Sequence, residues 1–345
     1  MQLNADDQSS YNEVLCSDIS AIISCLSKID VENSEAWNPL DKERIFGAIR
    51  ATPEGMQGLN VRVMAHMRNW VLSTAQTLLD RLNADPDYVY GAIRVSHQLS
   101  LLYKSYGEYE KALRLCQHVV NSMENLLGPD HEYILSPLNN LAALLQLLGR
   151  YDEAEALFRR AYVGKKTILG DDHKETMRAY SNLATALQQL QRHDEAVDIY
   201  RQLYQTSKVV NGADDEITIN FMSNLAMGLV AANGDIEDIL LMSKGAYEAS
   251  ARTLGESHPS TAEFLSNYGT VLLEKCGRVE EAVMVHRQCL AIRERVLGCS
   301  HSHTLETLGN LATALRRKNN EEACKEADVL VKRIYATPDH DIAYR

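Results

Sequence analysis

The sequence has little of what builds flexible linkers or membrane spans. Its 345 residues include only 7 prolines and 18 glycines, and no stretch rich in serine, glycine and proline interrupts them. No apolar run approaches the roughly 20 residues that a membrane-spanning helix needs. With 45% hydrophobic and 24% charged residues, the composition predicts continuous globular structure outside the bilayer.

Cysteine pairs and an excess of basic charge are lacking as well. The 7 cysteines are scattered, and none lies in a Cys-x-x-Cys pair, which argues against a disulfide framework or a zinc site. The net charge of −12 argues against the dense Lys/Arg surface that nucleic acid or an anionic membrane requires. The polar, acidic N-terminus is unlike a targeting leader. A cytoplasmic protein that binds neither nucleic acid nor membrane is therefore predicted.

What the sequence does contain is an internal repeat with a period of 42 or 43 residues. A turn motif recurs in phase with this period, as in GRYDEA (Gly149–Ala154) and GRVEEA (Gly277–Ala282). An asparagine that begins an Asn-Leu-Ala or related triplet returns at Asn140, Asn182, Asn224, Asn267 and Asn310. A glycine between units returns at Gly128, Gly170, Gly212, Gly255 and Gly298. Three markers in fixed phase indicate a tandem array.

Each unit is predicted to form two amphipathic helices. In one unit, Leu138 and Leu141 belong to an apolar stripe at helical spacing, which Gly149 ends. Ala154 and Phe158 belong to the stripe of the second helix. Because a single hairpin cannot cover both of its apolar faces, the units are predicted to stack on one another.

These residues carry a family resemblance. A helical hairpin with Leu-Ala in its first helix, a Gly-x-Tyr-x-x-Ala turn and an aromatic residue in its second helix resembles the tetratricopeptide repeat. The 42-residue period, with Leu-Gly-x-x-His between units, is similar to the repeats of kinesin light chains and their relatives. The resemblance implies an all-α, right-handed superhelical solenoid over residues 88–335. About six helix-turn-helix repeats are expected, at approximately 88–127, 128–169, 170–211, 212–254, 255–297 and 298–335.

Residues 1–87 do not follow the repeat. They are predicted to form helices near 11–28, 40–50 and 59–83, and the apolar face of the last helix favours an N-terminal cap on the array. The stretch Ile29–Phe46 resembles the tail that follows TIR-type signalling domains in some repeat proteins of protists and algae. That resemblance implies, as the alternative to a plain cap, a remnant of such a domain without its catalysis.

A coiled coil of the kind that binds kinesin light chains to their motor is not predicted. Residues 59–83 provide barely three heptads, so binding to a motor heavy chain is not expected. Residues 336–345 are predicted to form a short polar tail after the repeats.

Four histidines occupy one position of the repeat, three residues after the inter-unit glycine: His131, His173, His258 and His301. Their regular spacing is compatible with metal ligands or with a structural role at the start of a helix. Stacking would separate successive copies by about 10 Å or more, so a role at the helix start is favoured. No metal site, catalytic group or cofactor is predicted.

The asparagines are assigned to a binding face by the resemblance. In peptide-binding tetratricopeptide domains, an asparagine at this position of the first helix points into the concave groove and hydrogen-bonds the ligand backbone. The resemblance implies this role for Asn140, Asn182, Asn224, Asn267 and Asn310, while the alternative is a structural bond to the neighbouring unit. Other polar side chains of the first helices are predicted on the same face: Arg94, Lys104, Arg178, Gln188, Arg316 and Arg317, with Ser181, Ser223 and Ser266.

These features predict a non-catalytic scaffold or adaptor, kinesin light chain-like, whose concave groove binds an extended peptide of a partner protein. An alternative is the sensor or autoregulatory arm of a signalling protein whose effector domain is absent. An enzyme within residues 1–87 is the weakest hypothesis, because that segment has no convergent nucleophile, base or phosphate loop. No small-molecule substrate is predicted.

Overall fold

The computed structural model describes residues 55–299 and 301–335, together with the single residue Ala48. These residues form thirteen α-helices and no β-strand. The helices are α1 (Gly55–Asn83), α2 (Val89–Ser105), α3 (Tyr109–Leu127), α4 (Leu135–Leu147), α5 (Tyr151–Leu169), α6 (Lys174–Gln189), α7 (His193–Val210), α8 (Glu216–Ala231), α9 (Ile236–Thr253), α10 (Pro259–Glu274), α11 (Val279–Leu297), α12 (Ser302–Arg317) and α13 (Glu321–Tyr335). Short 3-10 helices, Pro86–Tyr88 and Glu132–Ile134, precede α2 and α4.

The chain divides into two compact units, Met1–Leu144 and Leu145–Arg345, with the boundary inside α4. In the first unit, α1 packs on α2 and α2 packs on α3. Val71 and Leu79 of α1 are buried against Leu99 of α2. The apolar face predicted for the helix at 59–83 therefore covers the first helix of the repeat region.

In the second unit, each helix from α5 to α13 packs against the next one along the chain. The helices α6, α8, α10 and α12, which come first in their hairpins, also contact one another in succession. Alanines at the Leu-Ala position, such as Ala184 and Ala226, are at most 1% exposed and let these helices approach closely. Stacked helical hairpins are thus the building plan of this unit.

The helix starts confirm the structural interpretation of the four histidines. The Nδ1 atom of His173 accepts a hydrogen bond from the backbone N–H of Glu175 at 3.2 Å. The equivalent rings of His131, His258 and His301 do the same at 3.2 to 3.3 Å. In the repeat that follows Gly212, aspartate takes the place of histidine, and Asp215 accepts a hydrogen bond from the backbone N–H of Ile217 at 3.0 Å. Each side chain satisfies a backbone donor that a helix leaves unpaired at its N-terminus.

The helix ends depend on residues with positive φ. The inter-unit glycines, for example Gly170 with φ of +86°, take a backbone conformation that other residues rarely adopt. The turn inside each hairpin also needs one residue with positive φ. Its occupants are Gly107, Gly149, Gln191, Asn233, Gly277 and Asn319.

The predicted all-α class is confirmed. The helix predicted at 59–83 is present as α1, which begins four residues earlier at Gly55. The helices predicted near 11–28 and 40–50 lie outside the described residues, apart from Ala48, and so do Ile29–Phe46 and the tail at 336–345. The predicted domain boundaries stay predictions.

Candidate functional site

Four of the five predicted asparagines form a row in the second unit. Asn182, Asn224, Asn267 and Asn310 occupy equivalent positions on α6, α8, α10 and α12, and all four are partly exposed. Because these helices contact one another in succession, the row runs across neighbouring helices. Asn140 lies on α4 in the first unit and is also partly exposed. We call the four residues of the second unit the asparagine row.

Two members of the asparagine row are bonded to the preceding first helix. Asn224 Nδ2 donates to Ser181 Oγ at 3.2 Å, and Asn267 Nδ2 donates to Ser223 Oγ at 3.2 Å. Each bond joins residues 43 or 44 positions apart in the chain. The amides therefore have a structural role between repeats. Each amide also retains a carbonyl oxygen and a second N–H.

The serines next to the asparagines do not line an open groove as predicted. Ser181 is 7% exposed, and Ser223 and Ser266 are both 4% exposed. Their place directly before the asparagine turns them toward the packed side of the helix, since adjacent helical residues point about 100° apart. The recurring Ser-Asn pair in the sequence was the signal for this contact.

The predicted basic residues of the second unit are already paired. Arg178 contacts Glu175 at 3.2 Å, and Arg316 contacts Asp328 at 3.2 Å. Arg317 donates to Glu274 at 2.7 Å and to the backbone carbonyl of Leu273 at 3.0 Å. Exposed ion pairs of this kind contribute on the order of 1 kcal/mol or less.

The other polar residues predicted to line the groove do not belong to these ion pairs. Gln188 is partly exposed on α6. In the first unit, Arg94 is exposed and Lys104 is partly exposed on α2.

The structure contains a buried polar position that the sequence pattern above does not predict. It lies on the second helix of four successive hairpins, five residues before the inter-unit glycine, and is occupied by Lys165, Ser207, Ser250 and Arg293. The hydroxyls of Ser207 and Thr218 are 2.7 Å apart, and those of Ser250 and Thr261 are 2.8 Å apart. Each side chain thus contacts the next first helix, and its fixed distance from the glycine could have revealed it.

At the two ends of this series the contact uses a cation. Lys165 Nζ lies 3.0 Å from Glu175 Oε2, and this lysine, first among several causes, lowers the pKa of that carboxyl. Arg293 Nη1 donates to the carbonyl of His303 and to Thr307 Oγ1, each at 2.7 Å, and lies 3.3 Å from Glu306 Oε2. These contacts hold hairpins together.

A second buried position lies twelve residues before the inter-unit glycine, where Phe158, Tyr200 and His286 are equivalent. The Tyr200 hydroxyl lies 2.9 Å from Thr185 Oγ1. His286 is 1% exposed, and neither ring nitrogen has a hydrogen-bond partner. Its ring packs on Gly269, where an added Cβ would lie 2.8 Å from the imidazole Cε1. The imidazole thus fills the place of an aromatic core residue.

Across 55–299 and 301–335, no three His, Cys, Asp or Glu side chains are grouped so as to hold a metal ion. In the same part of the chain, none of the helices is both long and apolar enough to cross a membrane.

A family model of the tetratricopeptide repeat matches residues 92–167, 134–209, 175–244 and 261–323. These segments span more than half of the chain, and the chain belongs to the tetratricopeptide repeat family. No curated protein gives a significant sequence match.

Solved structures with the same fold include repeat proteins of the kinesin light chain type. BtubC (BKLC) from P. vanneervenii is similar with a TM-score of 0.54 and 20% identity, over 66% of this chain and 92% of that chain. A kinesin light chain-like protein of Podosopora anserina with nearly identical TPR-like repeats has a TM-score of 0.50 and 22% identity, over 61% of this chain and 97% of that chain. The predicted likeness to these repeats is therefore confirmed for the fold.

A second kind of neighbour binds a peptide. The Rap conjugation gene regulator of the plasmid pLS20, solved in complex with the Phr* peptide, has a TM-score of 0.55 and 11% identity, over 94% of this chain and 82% of that chain. Arrays of this architecture are scaffolds for protein interaction, since stacked repeats present extended binding surfaces.

Proposed function

We propose that this chain is a non-catalytic scaffold that binds an extended segment of a partner protein along the asparagine row. The observation that carries the proposal is the placement of Asn182, Asn224, Asn267 and Asn310, partly exposed, on four successive first helices. Side-chain amides can donate to backbone carbonyls and accept from backbone N–H groups. A row of amides therefore suits a ligand that presents its backbone, as an extended peptide does.

Charge has a smaller role in this proposal than the sequence alone indicated. Arg178, Arg316 and Arg317 each have a carboxylate partner within 3.2 Å, so an acidic group of the ligand would have to replace that partner. Replacing one exposed carboxylate by another changes the free energy little. The backbone contacts of the asparagine row would then supply most of the specificity for an extended conformation.

The state of the buried cysteines supports an intracellular location. Cys116 and Cys289 are unpaired and at most 1% exposed. Burial is the main cause that raises the pKa of both thiols, which keeps them protonated and unreactive. The cysteines that are not fully buried, Cys276, Cys299 and Cys324, are also free thiols, which is typical of a reducing compartment, and we propose a cytoplasmic location on this ground.

The test uses a fluorescent peptide. This peptide is first selected from a randomised library for binding to the intact chain. The double variant Asn182→Ala/Asn224→Ala is expected to weaken binding at least tenfold, because two amides each contribute roughly 1 kcal/mol. The control is Asn121→Ala, which removes an exposed amide from the second helix α3, where it bonds Gln117. Equal affinity of the double variant and the parent chain would refute binding along the row.

A further inference from the structure

Two buried serines determine how part of the asparagine row is held. Ser181 and Ser223 each accept a hydrogen bond from the Nδ2 atom of the asparagine on the following first helix, at 3.2 Å. Both serines are less than 8% exposed, whereas Asn224 and Asn267 are partly exposed. The bond thus anchors an accessible amide to a buried hydroxyl.

Anchoring matters because a free asparagine side chain rotates between several orientations. Binding a ligand through such a side chain costs the entropy of fixing it. One N–H bonded to a buried serine fixes the amide before the ligand arrives. The carbonyl and the second N–H stay available, and these are the two groups that a peptide backbone needs.

The arrangement differs at the third serine of the series. Ser266 has the same position and burial as Ser223, but among the described residues no hydrogen bond of this kind joins it to Asn310. Asn224 and Asn267 are thus the amides of the row that a buried serine anchors.

We propose that Ser181 and Ser223 are positioning residues, which hold the amides of Asn224 and Asn267 in the orientation that binds the backbone of an extended peptide. The proposal rests on the function proposed above. Because each bond joins two successive first helices, peptide binding at these asparagines is coupled to the contact between repeats. The serines act through the asparagines and do not touch the ligand.

A double-mutant cycle tests this with the same fluorescent peptide. Ser181→Ala is expected to weaken binding about fivefold to tenfold in the parent chain, since one hydrogen bond contributes roughly 1 kcal/mol. In the Asn224→Ala background, Ser181→Ala is expected to cause no further loss. Ser181→Thr keeps a hydroxyl and should retain most of the affinity. Ser266→Ala, the matched control, should leave the affinity unchanged in both backgrounds.

The outcomes separate the two proposals. If Asn182→Ala/Asn224→Ala leaves the affinity unchanged, the function proposed above is wrong. If Asn224→Ala weakens binding but Ser181→Ala weakens it equally in both backgrounds, Ser181 acts independently of Asn224 and the positioning role is wrong.

An NMR measurement tests the positioning role without a ligand. The side-chain amide resonances of Asn224 should move in Ser181→Ala and not in Ser266→Ala, and unmoved resonances would overturn the positioning role.

Discussion

The α6–α7 and α10–α11 hairpins share one backbone plan and differ in the chemistry of their interior. In α6–α7, two buried polar positions hold neutral groups that are paired: Tyr200 with Thr185 at 2.9 Å and Ser207 with Thr218 at 2.7 Å. In α10–α11, the equivalent positions hold His286, which has no hydrogen-bond partner, and the cation Arg293.

The difference shows what the repeat period determines and what it leaves to the local sequence. The period places a buried group twelve and five residues before the inter-unit glycine in both hairpins. It does not determine whether that group is neutral, charged or paired. Buried charges and unpaired polar groups are costly, so we expect α10–α11 to be the more sensitive hairpin.

The largest effect is expected for Arg293→Met. The exchange keeps much of the side-chain volume but removes the donor to the carbonyl of His303 and to Thr307 Oγ1. Loss of these charge-assisted bonds should lower the free energy of unfolding by about 2–4 kcal/mol, measured by urea denaturation. The matched control is Arg287→Met on the same helix, whose exposed pair with Glu326 should contribute about 1 kcal/mol or less. Equal losses in the two variants would contradict the special role of the buried cation.

The next effect is a dependence of stability on pH. Burial, with a smaller contribution from the Arg293 guanidinium, lowers the pKa of His286 from 6.5 to about 4. Between these values the unfolded chain binds a proton that the folded chain does not bind. Stability is therefore full above pH 6.5 and falls as the pH decreases toward 4, by roughly 3 kcal/mol from this group.

His286→Phe should remove this contribution and flatten the melting temperature between pH 6.5 and 4. A six-membered aromatic ring suits this position, because Phe158 and Tyr200 occupy it in two other hairpins, where they are 2% and 3% exposed. At neutral pH the variant should also be more stable, since two unpaired buried nitrogens are gone. The control exchanges the exposed His118 for Gln. A pH profile that stays as steep in His286→Phe as in the parent chain would contradict the assignment.

The features that the sequence predicted are those that depend on neighbours along the chain. The histidine at the helix start bonds an N–H two residues away, so a short motif such as Leu-Gly-x-x-His is sufficient to predict it. The Asn224–Ser181 and Arg317–Glu274 contacts join residues 43 positions apart. Their geometry depends on how one first helix is turned against the next, which composition and periodicity do not determine. For this reason the sequence predicts the asparagine row. It also predicts an open groove face for serines that are buried and for arginines that are already ion-paired.

A smaller effect is expected in the neutral hairpin. Tyr200→Phe removes one buried hydroxyl and its bond to Thr185 while it keeps the ring. The free energy of unfolding should fall by about 1 kcal/mol, measured by urea denaturation. Tyr204→Phe, one turn later on α7 and partly exposed, is the control and should change it by a few tenths of that. A loss as large as that of Arg293→Met would show that neutral and charged interiors are equally sensitive.

The smallest effect concerns the turns of the two hairpins. Here α6–α7, and not α10–α11, contains the unfavourable residue. Gln191 in α6–α7 has φ of +61°, and the equivalent Gly277 in α10–α11 has φ of +62°. A side chain at this φ costs about 1 kcal/mol relative to glycine, part of which the greater flexibility of unfolded glycine offsets. Gln191→Gly should therefore raise the free energy of unfolding by at most about 1 kcal/mol, and Gly277→Gln should lower it by a similar amount. An added Cβ at Gly277 meets no atom within 4 Å, so the backbone conformation alone is tested. Thermal melting of the two variants tests this prediction. If both variants were stabilised, or both destabilised, this account of the turn would be contradicted.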